Sequence, residues 1–144
     1  MNKAEAYRLL IADVYELAGA SRRTSEDVAR RAGQTVARWH VLSVLSEPST
    51  VAGAARRLGL SRQSVHRVCG DLLREGLLDS QDNPDHQTSP LLRLTSAGAA
   101  ILAELVQESD VERSRLLTRT QITVDELEST RTIVRTLITA LDNP

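Results

Sequence analysis

Arg62, Gln63, Ser64, His66 and Arg67 crowd one side of a short segment reading SRQSVHRVC from Ser61 to Cys69, and every one of them can hydrogen-bond nucleic acid. An Arg guanidinium donates in a fork to guanine, a Gln amide pairs with the edge of adenine, and Arg, Ser or His side chains hold phosphate oxygens. Val65, Val68 and Leu72, with Leu73 at the margin, recur at spacings of three and four and mark the opposite side as the buried face of a helix. A polar helix face is more often simply solvated. The preceding residues shift the balance. The stretch Val51–Leu78 reads VAGAARRLGLSRQSVHRVCGDLLREGLL, two short amphipathic helical patterns joined by Leu58-Gly59-Leu60-Ser61, which is the grammar of a helix-turn-helix. Gly59 reaches the positive φ that a tight inter-helix turn needs. Ser61 stands at the N-cap position, its hydroxyl able to accept from the free N–H of Gln63 or Ser64.

On this reading Arg62 and Gln63, near the N-terminus of the second helix, are the base readers. Arg67 and Ser64 are placed for phosphate, and His66 for either. Arg56 and Arg57 at the end of the first helix add further cationic reach.

The 144-residue chain carries a net charge of −1, which does not suit a DNA-binding protein until it is divided along the sequence. Residues 22–74 hold ten Arg against four acids, a balance of +6, whereas residues 75–144 hold six Arg against twelve acids. The positive field therefore lies on the helix-turn-helix and the C-terminal part is acidic. With no Phe, one Trp and two Tyr, the core must be built from Leu, Val, Ile and Ala. Few rings remain on which single-stranded nucleic acid could stack. One Cys rules out an internal disulfide and agrees with a reducing compartment. No apolar run approaches the roughly 20 residues of a membrane span, and the N-terminus lacks the basic head and apolar core of a signal peptide. A soluble cytoplasmic protein is expected.

Around the motif, helical periodicity covers Asn2 to about Ala32, with Gly19-Ala20-Ser21 leaving open one kinked helix or two shorter ones. Gly33-Gln34-Thr35 breaks that pattern, and Val36–Ser46 follows with Trp39, Leu42 and Leu45 on an apolar face. The two motif helices are expected at Ser49–Leu58 and Ser61–Glu75, with Gly76 as the C′ residue of the second. Leu77-Leu78 opens a strand, Asp79–Pro90 is turn-rich, and Leu91–Leu94 is its returning partner. A hairpin directly after a helix-turn-helix is a wing. Thr95 can cap a long helix from Ser96 to about Leu117, and Thr123-Val124-Asp125-Glu126 is a capping box for a last helix to about Leu141. The fold class is mainly α with a small β wing.

The order of these elements, together with Gln34–Leu42 (QTVARWHVL), the Leu58–Ser61 turn, Leu72–Leu78 (LLREGLL) and Leu94–Gly98 (LTSAG), resembles the MarR family of bacterial transcriptional regulators over about residues 5–140. The resemblance implies a winged helix-turn-helix lobe at 33–95, flanked by dimerisation helices at 1–32 and 96–144. It implies a homodimer in which Tyr7, Leu10, Val14 and Leu17 pack with Ile133, Val134, Leu137 and Leu141 across a two-fold axis. Such a particle would read a pseudo-palindromic double-stranded operator, as a repressor released by a small-molecule effector. Trp39 and His40 lie where relatives line an effector cleft. The wing departs from the family: its tip, Asp82 to Pro90, holds neither Arg nor Lys. His86 and Gln87 occupy about the place of the usual Arg, and Arg93 on the returning strand can reach phosphate.

Several other readings carry less weight. Cys69 follows Val65 by four positions and falls on or beside the buried face, as a structural thiol does. His66 and Cys69 are one turn apart, but no carboxylate cluster accompanies them, so no metal and no cofactor is expected. No nucleophile–base pair or phosphate loop suggests an enzyme. The alternative from another class is a winged-helix protein-interaction module without sequence-specific DNA binding.

Overall fold

In the computed structural model, residues 1–143 are described, and eight elements follow one another in the expected order. The helix α1 spans Lys3–Arg31, with Asn2 as its N-cap accepting from the Glu5 N–H at 2.9 Å. It runs unbroken through Gly19, so the one-helix alternative holds. A penalty of about 1 kcal/mol for one interior glycine is small against a run of strong helix formers on either side.

The helix α2 (Val36–Val44) begins at Thr35, whose hydroxyl accepts from the Arg38 N–H, and stops two residues earlier than the apolar pattern suggests. The helix α3 (Val51–Leu58) starts at the Thr50 cap, two residues later than expected, and α4 spans Arg62–Arg74. Between them Gly59 takes φ 65°, and Gly76 takes φ 73° after α4. Both turns therefore use the left-handed backbone that glycine reaches without a Cβ clash.

The strands β1 (Leu78–Gln81) and β2 (Leu91–Leu94) pair antiparallel, with Leu78 opposite Leu94 and Gln81 opposite Leu91. Ser49 adds a backbone bridge to Leu92, donating and accepting one bond each way, so the segment before α3 is stitched to the wing. The helix α5 runs Ser96–Thr120 and α6 runs Val124–Asp142. Thr123 and Glu126 form the capping box read from the sequence.

The chain divides into two compact units. The first, Met1–Ser109, is built around one aliphatic core. Trp39, Val41, Leu42 and Leu45 from α2 and its end meet Ala54 and Ala55 of α3, and Val65, Cys69 and Leu72 of α4. Leu77, Leu78 and Leu92 close the wing side, and Val28, Ala29 and Leu105 extend the core beyond residues 33–95. Small Ala54 and Ala55 let the two motif helices approach closely. Leu73, at the margin of the buried face, is 38% exposed.

The second unit, Asp110–Pro144, holds the end of α5 and all of α6. No residue of α6 is buried within the chain. Among the described residues no helix is long and apolar enough to cross a membrane.

Candidate nucleic-acid interface

The geometry of α4 starts with its cap. Ser61 accepts from the Ser64 N–H at 3.2 Å, and the Ser64 hydroxyl donates to the Ser61 carbonyl at 3.0 Å. These bonds fix the first turn and occupy both hydroxyls, so each serine holds the helix end as well as facing outward. Arg62, Gln63, His66 and Arg67 are exposed, and none engages another side chain or carbonyl among the described residues. Val65, Cys69 and Leu72 fix the opposite face in the core at 0–1% exposure. Four uncommitted polar side chains on a rigidly seated helix are what a groove-reading surface requires.

The remaining basic residues differ in how free they are. Arg56 is exposed, whereas Arg57 donates to the Val44 carbonyl at 3.1 Å and closes the C-terminal end of α2. Arg93 pairs with Asp79 directly across the two strands, Nε to Oδ1 at 2.7 Å. That hydrogen bond raises the Arg93 pKa above its ordinary value and also offsets the charge that phosphate would meet. His86 and Gln87 are exposed at the wing tip.

The tip is organised by Asn83, a residue that the site reading from sequence did not single out. Its side chain donates to the Ser89 carbonyl at 2.9 Å and accepts from the Asp85 N–H at 3.0 Å. An Asn before Pro84 is a turn signal that marks such a role. Thr88, Ser89 and Pro90 then lie beside Arg62 and His66 around a cavity of about 370 Å³. The wing and α4 thus share one surface.

Trp39 and His40 do not come together. Trp39 is 8% exposed and belongs to the core, while His40 faces outward. Cys69 is 1% exposed, and burial pushes its thiol up to about 11. At pH 8 only about a thousandth of such a thiol is thiolate, the reactive form. A maleimide at pH 7 should therefore leave the folded protein unmodified by mass and label it fully in denaturant; rapid labelling of the native chain would contradict the burial. Among the described residues no group of three or more His, Cys, Asp or Glu is placed to hold a metal ion.

One cluster at the C-terminal end of α4 escaped the sequence reading. Arg38 on α2 reaches the C-cap of α4, with Nη1 donating to Glu75 Oε1 at 3.0 Å and Nη2 donating to Oε2. Its Nε donates to Gln34 Oε1 at 2.7 Å. The guanidinium hydrogen bonds hold the Glu75 carboxyl below its ordinary pKa.

Two capped helices joined by a glycine turn and followed by a two-stranded hairpin define a winged helix-turn-helix protein. The MarR family model matches residues 32–87, from the end of α1 to the wing tip. A protein of uncharacterized function from Mycobacterium tuberculosis is 47% identical over 133 residues, covering 92% of each chain. A mutant MarR from E. coli complexed with operator DNA matches with a TM-score of 0.77 at 19% identity, over 95% of this chain and 99% of that one. A Staphylococcus aureus MarR in complex with salicylate and kanamycin matches with a TM-score of 0.81 at 13% identity, over 99% of this chain and all of the other. The chain belongs to the MarR family of transcription regulators.

Proposed function

We propose that the protein is a homodimeric, sequence-specific DNA-binding repressor that reads a pseudo-palindromic operator with α4 in the major groove. The observation that carries this reading is the outer face of α4, where Arg62, Gln63, His66 and Arg67 stand exposed and uncommitted over a buried aliphatic face. Arg62 and Gln63 read bases; Arg67, Ser64, Ser61 and Arg56 meet phosphate. Arg57 and Arg93 contribute to the field while bonded within the chain, and His86 and Gln87 approach the backbone from the wing. The complex of the E. coli MarR of the same fold with operator DNA supports DNA as the partner.

The division of labour follows. Residues 33–95 read DNA, and the helices of 1–32 and 96–144 make the dimer. Support comes from the apolar residues these helices leave uncovered in the single chain: Tyr7, Val14 and Leu17 on α1, and Ile133 and Leu141 on α6. Leu10, Val134 and Leu137 complete the two stripes and are only partly covered. A two-fold particle places two copies of α4 one helical turn of DNA apart, about 34–36 Å. Release by a small-molecule effector is supported by the salicylate complex of the S. aureus relative. Such an effector would act by changing that separation.

A protein-interaction module is favoured by the cation-free wing tip, with Arg93 already paired to Asp79, and by the acidic C-terminal part. Selection of binding sites from genomic fragments by the purified chain tests both readings. The repressor reading expects an inverted repeat bound at least 10³-fold more tightly than random duplex of equal length. It also expects an affinity that falls steeply with salt as phosphate contacts release counterions. Equal, weak binding to both duplexes would support the interaction module instead.

A further inference from the structure

We infer that Arg38 is a positioning residue for DNA reading, its guanidinium fork locking the C-terminal end of α4 through Glu75 and so setting the angle at which Arg62 and Gln63 meet the bases. The inference rests on the repressor reading above and adds to it a device outside the DNA surface.

An acidic residue at a helix C-cap opposes the macrodipole, whose negative end lies there. Glu75 nevertheless occupies that position in α4, and Arg74 one residue earlier is engaged by Asp71. What makes the carboxylate acceptable is Arg38, which meets both of its oxygens. The fork is preorganised. Gln34 holds its Nε at 2.7 Å, the side chain is only 16% exposed, and α2 is anchored by Trp39, Val41 and Leu42 in the core. Bidentate Arg–carboxylate pairs fix direction as well as distance. A Lys in place of Arg38 would keep the charge and lose the fork.

Leverage turns this pair into a specificity device. A helix of 13 residues is about 20 Å long, so a tilt of about 10° at its C-terminal end moves the N-terminus by roughly 3 Å. Forked bonds to a base edge do not survive such a displacement. Val65, Cys69 and Leu72 seat one face of α4 in the core, and the Arg38–Glu75 fork adds a directional restraint at the C-terminal end that fixes the helix against tilting on that seat.

The test uses the full chain with two duplexes, the inverted repeat recovered by selection with the wild-type protein and a random duplex of equal length. Glu75→Gln removes a negative charge near DNA, so charge alone predicts tighter binding to both duplexes. Arg38→Gln removes a positive charge, so charge alone predicts weaker binding to both. Positioning predicts that each variant lowers the operator-to-random ratio by about tenfold. It further predicts that Arg38→Lys does the same, and that the double variant is no worse than either single one.

Should Arg38→Gln fail to fold by thermal unfolding, Glu75→Gln carries the test, since its carboxylate is half exposed and the amide has the same shape. A Glu75→Gln ratio equal to or above wild type overturns the positioning role and leaves the repressor reading standing. A wild-type protein that does not distinguish the two duplexes overturns the repressor reading itself, and this inference with it.

Discussion

Arg62→Ala and Gln63→Ala will each cut affinity for the selected operator sharply while leaving fold and oligomeric state unchanged. A bidentate contact from Arg or Gln to a base edge discriminates by about 1–3 kcal/mol. A two-fold particle makes each contact twice, so the expected loss per dimer is about 2–6 kcal/mol, from roughly 30-fold upwards. Neither side chain carries any load in the folded chain: both are exposed and bond to nothing among the described residues. The cap made by Ser61 and Ser64 does not involve them. Thermal unfolding should therefore move little, as for surface substitutions in general.

The two variants differ in a way that identifies what each residue touches. Gln63 is neutral, so its loss should leave random-duplex affinity and the salt slope alone. Arg62 is charged. If it reads a base its removal spares the salt slope, whereas a phosphate contact would shift the slope by about one per site. Fluorescence anisotropy titrations across a range of salt separate these outcomes. Unchanged operator affinity in both variants would remove the base-reading assignment from the N-terminus of α4.

Much of this surface was legible because its determinants are local. The Gly59 turn, the Ser61, Thr95 and Thr123 caps, and the three-and-four spacing of Val65, Val68 and Leu72 lie within a few residues of the structure they specify. Helix ends were less legible. Ser49 reads as the start of α3, yet its backbone is taken by Leu92, 43 positions later, and the helix waits for the Thr50 cap. Arg57, Arg93 and Arg38 illustrate the same limit from the side of function. Arg57 and Arg93 read as available cations along the sequence and Arg38 is not singled out, but their partners are Val44, Asp79 and Glu75. Only the tertiary fold brings those groups within reach. Composition shows how much charge a segment carries and says nothing about which charges are already met.

Gly98→Ala should destabilise the first unit strongly, against what helix propensity alone predicts. Gly98 lies in the first turn of α5 with an ordinary helical φ, so freedom of backbone is not why glycine is there. A Cβ at this position would sit 2.0 Å from the Leu77 carbonyl oxygen and 3.0 Å from its carbon, both backbone atoms with no side chain to swing away. Leu77 is held from two directions. Its carbonyl accepts the Thr95 N–H at 3.1 Å, and the Thr95 hydroxyl donates to the neighbouring Gly76 carbonyl at 2.6 Å while accepting the Gly98 N–H.

Propensity gives Ala an advantage of about 1 kcal/mol over Gly, but forcing a methyl into a closed contact costs about 1–3 kcal/mol and sometimes more. With backbone on the receiving side the steric cost wins. A Cβ 2.0 Å from a backbone oxygen puts the steric cost at or above the top of that range, so after the propensity gain the expected net loss is about 2 kcal/mol or more, a fall in Tm of at least roughly 5 °C. Gly19→Ala is the matched control, because its Cβ would meet only the flexible end of Arg23 at 3.8 Å. It should raise Tm by a few degrees. Opposite signs for two Gly-to-Ala changes in helices would isolate the close approach as the cause; a Gly98→Ala protein as stable as wild type would refute it. The consequence reaches the reading helix, since any shift of Leu77 that relieves the clash drags Gly76 and the C-terminal end of α4 with it. Gly98→Ala should therefore lose operator discrimination at temperatures where it is still folded.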